Sequence, residues 1–156
     1  MTDRMGQEAT VLEDELPTRH VLTLAIAQRL VAAGLAQAEQ RGLNHLVIGV
    51  CDEAGRLISF ARQDAAEPAA IDMCLAKART AAIFTRPTKE WKERLLAGNT
   101  WVLGMPNMHP IEGGQNIVVA GQTVGGLGIA GGSGVLDTEI GQAALAEVIR
   151  TGPGTS

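Results

Sequence analysis

Tyrosine is missing from this chain of 156 residues, aromatic residues make up 3% of it, and cysteine occurs only twice. Each shortage removes a class of function. Without tyrosine, and without a nucleotide-binding motif, an elaborate oxidoreductase site is not expected. Neither Cys51 nor Cys74 has a histidine at a metal-ligand interval, so zinc spacing and a Cys/His nucleophile pair are both absent. No Ser/His/Asp order emerges either. No run reaches the roughly 20 apolar residues of a membrane span, and residues 1–17 lack the basic start and apolar centre of a signal peptide. The expectation is a cytoplasmic protein without membrane contact. Its two cysteines read as buried free thiols, with a disulfide between them as the competing reading.

Excess charge of either sign is also lacking in most of the chain. The formal charge of −4 resides in residues 1–17, where Asp3, Glu8, Glu13, Asp14 and Glu15 face only Arg4, leaving twelve acids and twelve bases elsewhere. That balance carries no electrostatic footprint for nucleic acid. With 46% hydrophobic residues the chain can bury the core of one domain. The division expected is a mobile acidic tail over 1–17, a single domain over 18–151 and a flexible tail over 152–156.

What the chain has in quantity is glycine, 19 in all, six of them between Gly125 and Gly134. A cluster of that kind between a strand and a helix lets another backbone or a ligand come close. A phosphate loop would need Lys and then Ser or Thr directly after the glycines; Val135-Leu136 stands there instead. Gly125, Gly126 and Gly128 read as a strand thinned for close packing. Gly131, Gly132, Ser133 and Gly134 read as an amide-lined corner at a helix start, suited to a carboxylate.

Thr23 is a plausible N-cap for a helix running to an Arg41-Gly42 stop, with Leu24, Ala27, Leu30, Val31, Gly34, Leu35 and Ala38 at helical spacing. Leu46–Cys51 and Arg56–Ala61 form a hairpin about a type I turn over Asp52–Gly55. Ala69–Phe84 reads as a second helix, and Thr88 caps a third over Lys89–Ala97. Residues 99–115 form an irregular connection with room for a short strand. Ile117–Ala120 and Thr123–Ala130 make another hairpin about Gly121-Gln122, and Asp137–Arg150 a last helix. This order is α+β with an antiparallel sheet, not a repeated βαβ chain.

The hairpin VIGVCDEAGRLISFAR, the helix IDMCLAKARTAAIFTRPT and the segment GQTVGGLGIAGGSGVLDTEIGQAAL carry a recognisable pattern, as does Leu22-Thr23-Leu24 at the first helix. From Leu22 to Arg150 the chain resembles the GlcG/HbpS family, often labelled haem-degrading domain and including the C-terminal domain of PduO-type adenosyltransferases. The resemblance implies a profilin-like three-layer α/β/α fold with an antiparallel sheet of about five strands, assembled into a homo-oligomer of four or more subunits. It implies haem or a related tetrapyrrole as the ligand, held in an oligomer cleft. Iron-responsive members look to use acidic residues near the start of the second helix. Here Asp72 is followed one turn later by Leu75, so that pairing does not carry over.

Three histidines can serve as an axial ligand. His20 sits just before the first helix, where haem-binding relatives place a ligand, and His45 precedes the first strand; a solvated boundary histidine is the plain alternative for both. His109 closes Trp101-Val102-Leu103-Gly104-Met105-Pro106-Asn107-Met108-His109, a mixture suited to an apolar pocket with one titratable group or to a cover over the sheet. Lys77 and Arg79 on the second helix are candidates to hold a carboxylate or haem propionate beside Gly131–Gly134. For Lys77 the alternative is an internal pair with Asp72, Asp137 or Glu139; for Arg79 it is solvent. Two functions from different classes follow: an accessory protein binding haem through His20 or His109, or a small catabolic enzyme acting on a carboxylated metabolite. In the second, His109 and Glu112 would move protons in imine or enamine hydrolysis or tautomerisation. A third reading is an assembly protein whose glycine-rich hairpins are subunit contacts.

Overall fold

The computed structural model describes residue 13 and residues 15–152; most of the acidic segment 1–17 and nearly all of 152–156 lie outside the described residues. Helix α1 (Leu24–Gln40) begins where expected: the Thr23 hydroxyl accepts the Ile26 N–H at 3.3 Å, and Gly42 follows the Arg41 cap at φ +68°. Strands β1 (Val47–Asp52) and β2 (Leu57–Arg62) form the first hairpin. Its turn is held from the side by Asp52, whose carboxylate accepts the Ala54 and Arg56 N–H groups at 2.9 and 2.8 Å.

Helix α2 (Ala69–Ile83) and the shorter α3 (Thr88–Leu96) follow. Thr88 does not cap α3. Pro87 takes that position, and the buried Thr88 hydroxyl accepts the Gly114 N–H at 2.9 Å, tying α3 to the sheet. Residues 99–115 contain no additional strand; a 3₁₀ turn (Thr100–Gly104) is their only regular element before β3 (Gly114–Val119), which starts three residues ahead of Ile117. Ala120 and Gly121, at φ +49° and +77°, turn the chain into β4 (Gln122–Ala130). The closing helix α4 (Gly134–Arg150) is capped by the Ser133 hydroxyl, which accepts the Leu136 N–H at 3.2 Å.

Among the described residues the sheet has four strands in the order β2-β1-β4-β3, all antiparallel, close to the five or so expected. Both faces of its centre are covered, so β1 is apolar from Val47 to Cys51 and β4 from Val124 to Ala130 instead of alternating. Ile48, Val50, Leu127 and Ile129 enter the main core with Leu30, Ile140 and Ala144 of α1 and α4. On the other face Val47, Ala130 and Cys51 pack with Cys74, Ala78 and Ala82 of α2. α2 lies unusually close to the sheet because Gly126 and Gly128 have no side chain: a Cβ there would meet the Ala78 and Cys74 carbonyl oxygens. Among the described residues no helix is long and apolar enough to cross a membrane.

Candidate functional site

The glycine corner is built around an ion pair. Lys77, two turns into α2, is 2% exposed; its ammonium donates to Asp137 Oδ2 at 2.8 Å and to the Ile129 carbonyl at 2.9 Å. Asp137, 1% exposed, accepts the Gly132 N–H on Oδ1 at 3.0 Å. Burial lifts the Asp137 carboxyl above the ordinary carboxylate value, while the Lys77 ammonium and the Gly132 N–H pull against it. Gly131 turns the chain at φ +109° against the His45 carbonyl, and Gly113 lies over the ammonium, where a Cβ would come within 2.9 Å of Nζ.

The expectation that Lys77 meets an external carboxylate is therefore corrected: of its three alternative internal partners the fold selects Asp137. Glu112 comes to the same corner. It is 7% exposed, receives the Lys92 ammonium on Oε1 at 3.2 Å, and sits against Gly134, where a Cβ would be 3.0 Å from Oε2. An anion at the first turn of α4 is favoured by the helix dipole and by amides without intrahelical partners. The acid suited to this corner is thus supplied by the chain itself, in Asp137 and Glu112.

Arg79 turns away, its Nε donating to the Gly55 carbonyl in the β1–β2 turn at 3.2 Å. The mixed loop also separates. Met108 is buried with Trp91 and Val102, and Met105 packs beside them, whereas Trp101 and His109 face solvent. What anchors the loop is Thr80, whose hydroxyl accepts the His109 N–H and donates to the Asn107 carbonyl, both at 3.1 Å. These side chains do not combine into an apolar pocket around an imidazole.

Cys51 and Cys74 are free and buried, on the α2 side of the sheet. Burial pushes their thiols up to about 11 and about 12, leaving about one thiolate in a thousand or fewer at pH 8. The native protein is accordingly expected to be inert to Ellman's reagent at pH 8, with both thiols reacting once urea unfolds it. Rapid reaction of one equivalent in the native state would contradict this placement.

A second locus lies at the other end of α4, which at 17 residues is about 25 Å long. Here the start of α1, the last turns of α4 and the β3–β4 hairpin leave a groove of about 590 Å³. Its walls are apolar, with Ile26 from α1, Val118 and Val119 from the hairpin and Val148 and Ile149 from α4; the polar groups are His20, Arg29 and Asn116. His20 is exposed and fixed through its backbone N–H, which donates to Gln122 Oε1 at 3.3 Å. Sequence reasoning singled out His20 but missed the groove, Arg29 and Asn116. The available signal was Val118-Val119, two consecutive valines beside a turn on an edge strand, both more than 40% exposed in the fold. His20 and the residues Gly131–Gly134 belong to different loci, so one small ligand cannot use both.

The architecture is that of a three-layer α+β protein with an apolar groove across the ends of two helices and a hairpin, and an imidazole at its mouth. The family described as haem degrading protein HbpS-like matches residues 22–146, and the chain belongs to it. Protein GlcG of Escherichia coli strain K12 is 34% identical over 115 residues, which span 74% of this chain and 85% of that protein. A double mutant of Streptomyces reticuli HbpS is similar in structure, with TM-score 0.78, 33% identity and coverage of 85% of this chain and 90% of that one. A PduOC:heme complex is similar at TM-score 0.74 and 25% identity, over 81% of this chain and 94% of that one.

Proposed function

We propose that this protein is an accessory protein that binds haem or a closely related tetrapyrrole in the groove, with His20 as axial ligand. One observation carries the reading: a single accessible imidazole stands at the mouth of an apolar groove of about 590 Å³, well inside the range of roughly 300–1,000 Å³ common for small-molecule sites. A porphyrin supplies four equatorial nitrogens to its iron, so the protein needs to add one axial donor, and a neutral imidazole is a common choice. Bound haem would supply that iron; the chain supplies the His20 nitrogen and the apolar walls that keep water from the ring. Membership of the HbpS-like family and the likeness to a PduOC:heme complex support the same ligand class.

The groove is made by one chain. An oligomer remains part of the reading, supported by the apolar side chains of Leu96, Leu103 and Val135, each more than 60% exposed. The enzymatic alternative has less support. His109 is exposed, and the Glu112 carboxylate is taken up by Lys92 and the start of α4.

Titration with hemin tests the proposal. The expected result is a sharp, red-shifted Soret band in the wild type, lost in His20→Ala and retained in His109→Ala. A broad, unshifted spectrum in the wild type, or an unchanged band in His20→Ala, would overturn it.

A further inference from the structure

Among the described residues lining the groove, Arg29 is the only one with a permanent charge, and no Asp or Glu accompanies it. Its guanidinium is half-buried between α1 and the end of α4. One nitrogen, Nη2, donates to the Val148 carbonyl at 3.3 Å, the Thr151 carbonyl at 2.8 Å and the Thr151 hydroxyl at 3.2 Å. All three acceptors are neutral. A guanidinium has five N–H groups, and those on Nε and Nη1 donate to no described atom; no carboxylate pairs with Arg29 among the described residues.

We infer that the groove selects ligands carrying a carboxylate and that Arg29 is the group that reads it, an inference that rests on the tetrapyrrole reading and names the chemistry of the ligand's edge. A partly desolvated cation beside apolar walls is stabilised most by an anion, and the N–H groups on Nε and Nη1 remain to donate a charge-assisted hydrogen bond to a carboxylate. Arg29 lies one turn along α1 from Ile26, so the apolar wall and the charge are presented by the same helix face. The ligand that fits has a flat apolar body for Ile26, Val118, Val119 and Ile149, with an acid at its rim. Bonds to the end of α4 keep the guanidinium in place before any ligand arrives, which limits the ordering cost of binding.

The test compares protoporphyrin IX with its dimethyl ester, and hemin with hemin dimethyl ester, on wild type, His20→Ala, Arg29→Met and Arg29→Gln. The wild type is expected to bind each diacid about tenfold more tightly than the more apolar diester, the size of one partly exposed charge-assisted contact. Both Arg29 variants reduce that preference to within about twofold. Arg29→Gln keeps a polar, uncharged side chain at the end of the groove, so it carries the test if Arg29→Met does not fold. His20→Ala loses the Soret shift with hemin but keeps the acid preference with iron-free protoporphyrin. Equal binding of acid and ester by the wild type, or a preference that survives both Arg29 variants, overturns the role of Arg29 and leaves the haem reading standing. Failure of the wild type to bind any of the four porphyrins overturns both.

Discussion

Lys77→Met is expected to destabilise the fold by about 3–5 kcal/mol, the range for removing one partner of a buried ion pair. The Lys77 and Asp137 side chains are 2% and 1% exposed and 2.8 Å apart, so the change leaves a carboxylate with no counter-charge and no water. It also strands the Ile129 carbonyl, which accepts from the same ammonium at 2.9 Å. Urea unfolding of the two proteins measures the difference. The double variant Lys77→Met/Asp137→Leu should recover part of the loss, because the unpaired charge is gone. Recovery should stop short of wild type, since the Gly132 N–H that Asp137 accepts then lacks a partner, at about 1–3 kcal/mol. A loss below about 1 kcal/mol in Lys77→Met would contradict the buried pair.

The second large effect comes from the opposite kind of residue. Gly126→Ala adds one methyl group, but the space it needs is filled by the Ala78 carbonyl oxygen, with the Ala82 nitrogen 3.1 Å away. These are backbone atoms of the second half of α2, so no side chain can swing aside; the helix must lift from β4. Lifting it opens the contact of Cys51 with Ala78 and Ala82. Overpacking of this sort costs about 1–3 kcal/mol where neighbours can adjust and more where they cannot, so about 3 kcal/mol or more is expected. Gly104→Ala is the control: an added Cβ there meets nothing within 4 Å, and the change should stay within about 0.5 kcal/mol. Thermal or urea unfolding that ranks the two variants alike would refute the close approach of α2.

The two expectations separate what was legible in the chain from what was not. The first helix and the first hairpin were readable because their signals are local. Thr23 and Gly42 bracket a 3.6-residue pattern, and Asp52 and Gly55 mark a four-residue turn. The thinning of β4 by Gly125, Gly126 and Gly128 was readable for the same reason, since absence of a side chain is a property of the residue itself. Thr88 misled because its cap signal was local and its use was not: the hydroxyl serves Gly114, 26 residues away. Gly113 and Gly114 read as loop, yet Gly114 begins β3 under α2.

For the candidate sites the division is sharper. Residue types alone placed a cation, a carboxylate-suited corner and a free imidazole in this chain, and the family pattern carried the fold class with them. Which cation meets which acid was decided by packing. Lys77 and Asp137 are 60 positions apart, and only the stacking of α2 against β4, with α4 starting just beyond, brings them together and seals them from water. The groove exists in no single segment, because its walls come from the start of α1, the end of α4 and the β3–β4 hairpin. Local sequence determined elements, caps and turns, whose energies depend on neighbours three or four residues away. Tertiary structure decided which polar groups lose their water and must find partners inside, and which, like the His20 side chain, stay exposed.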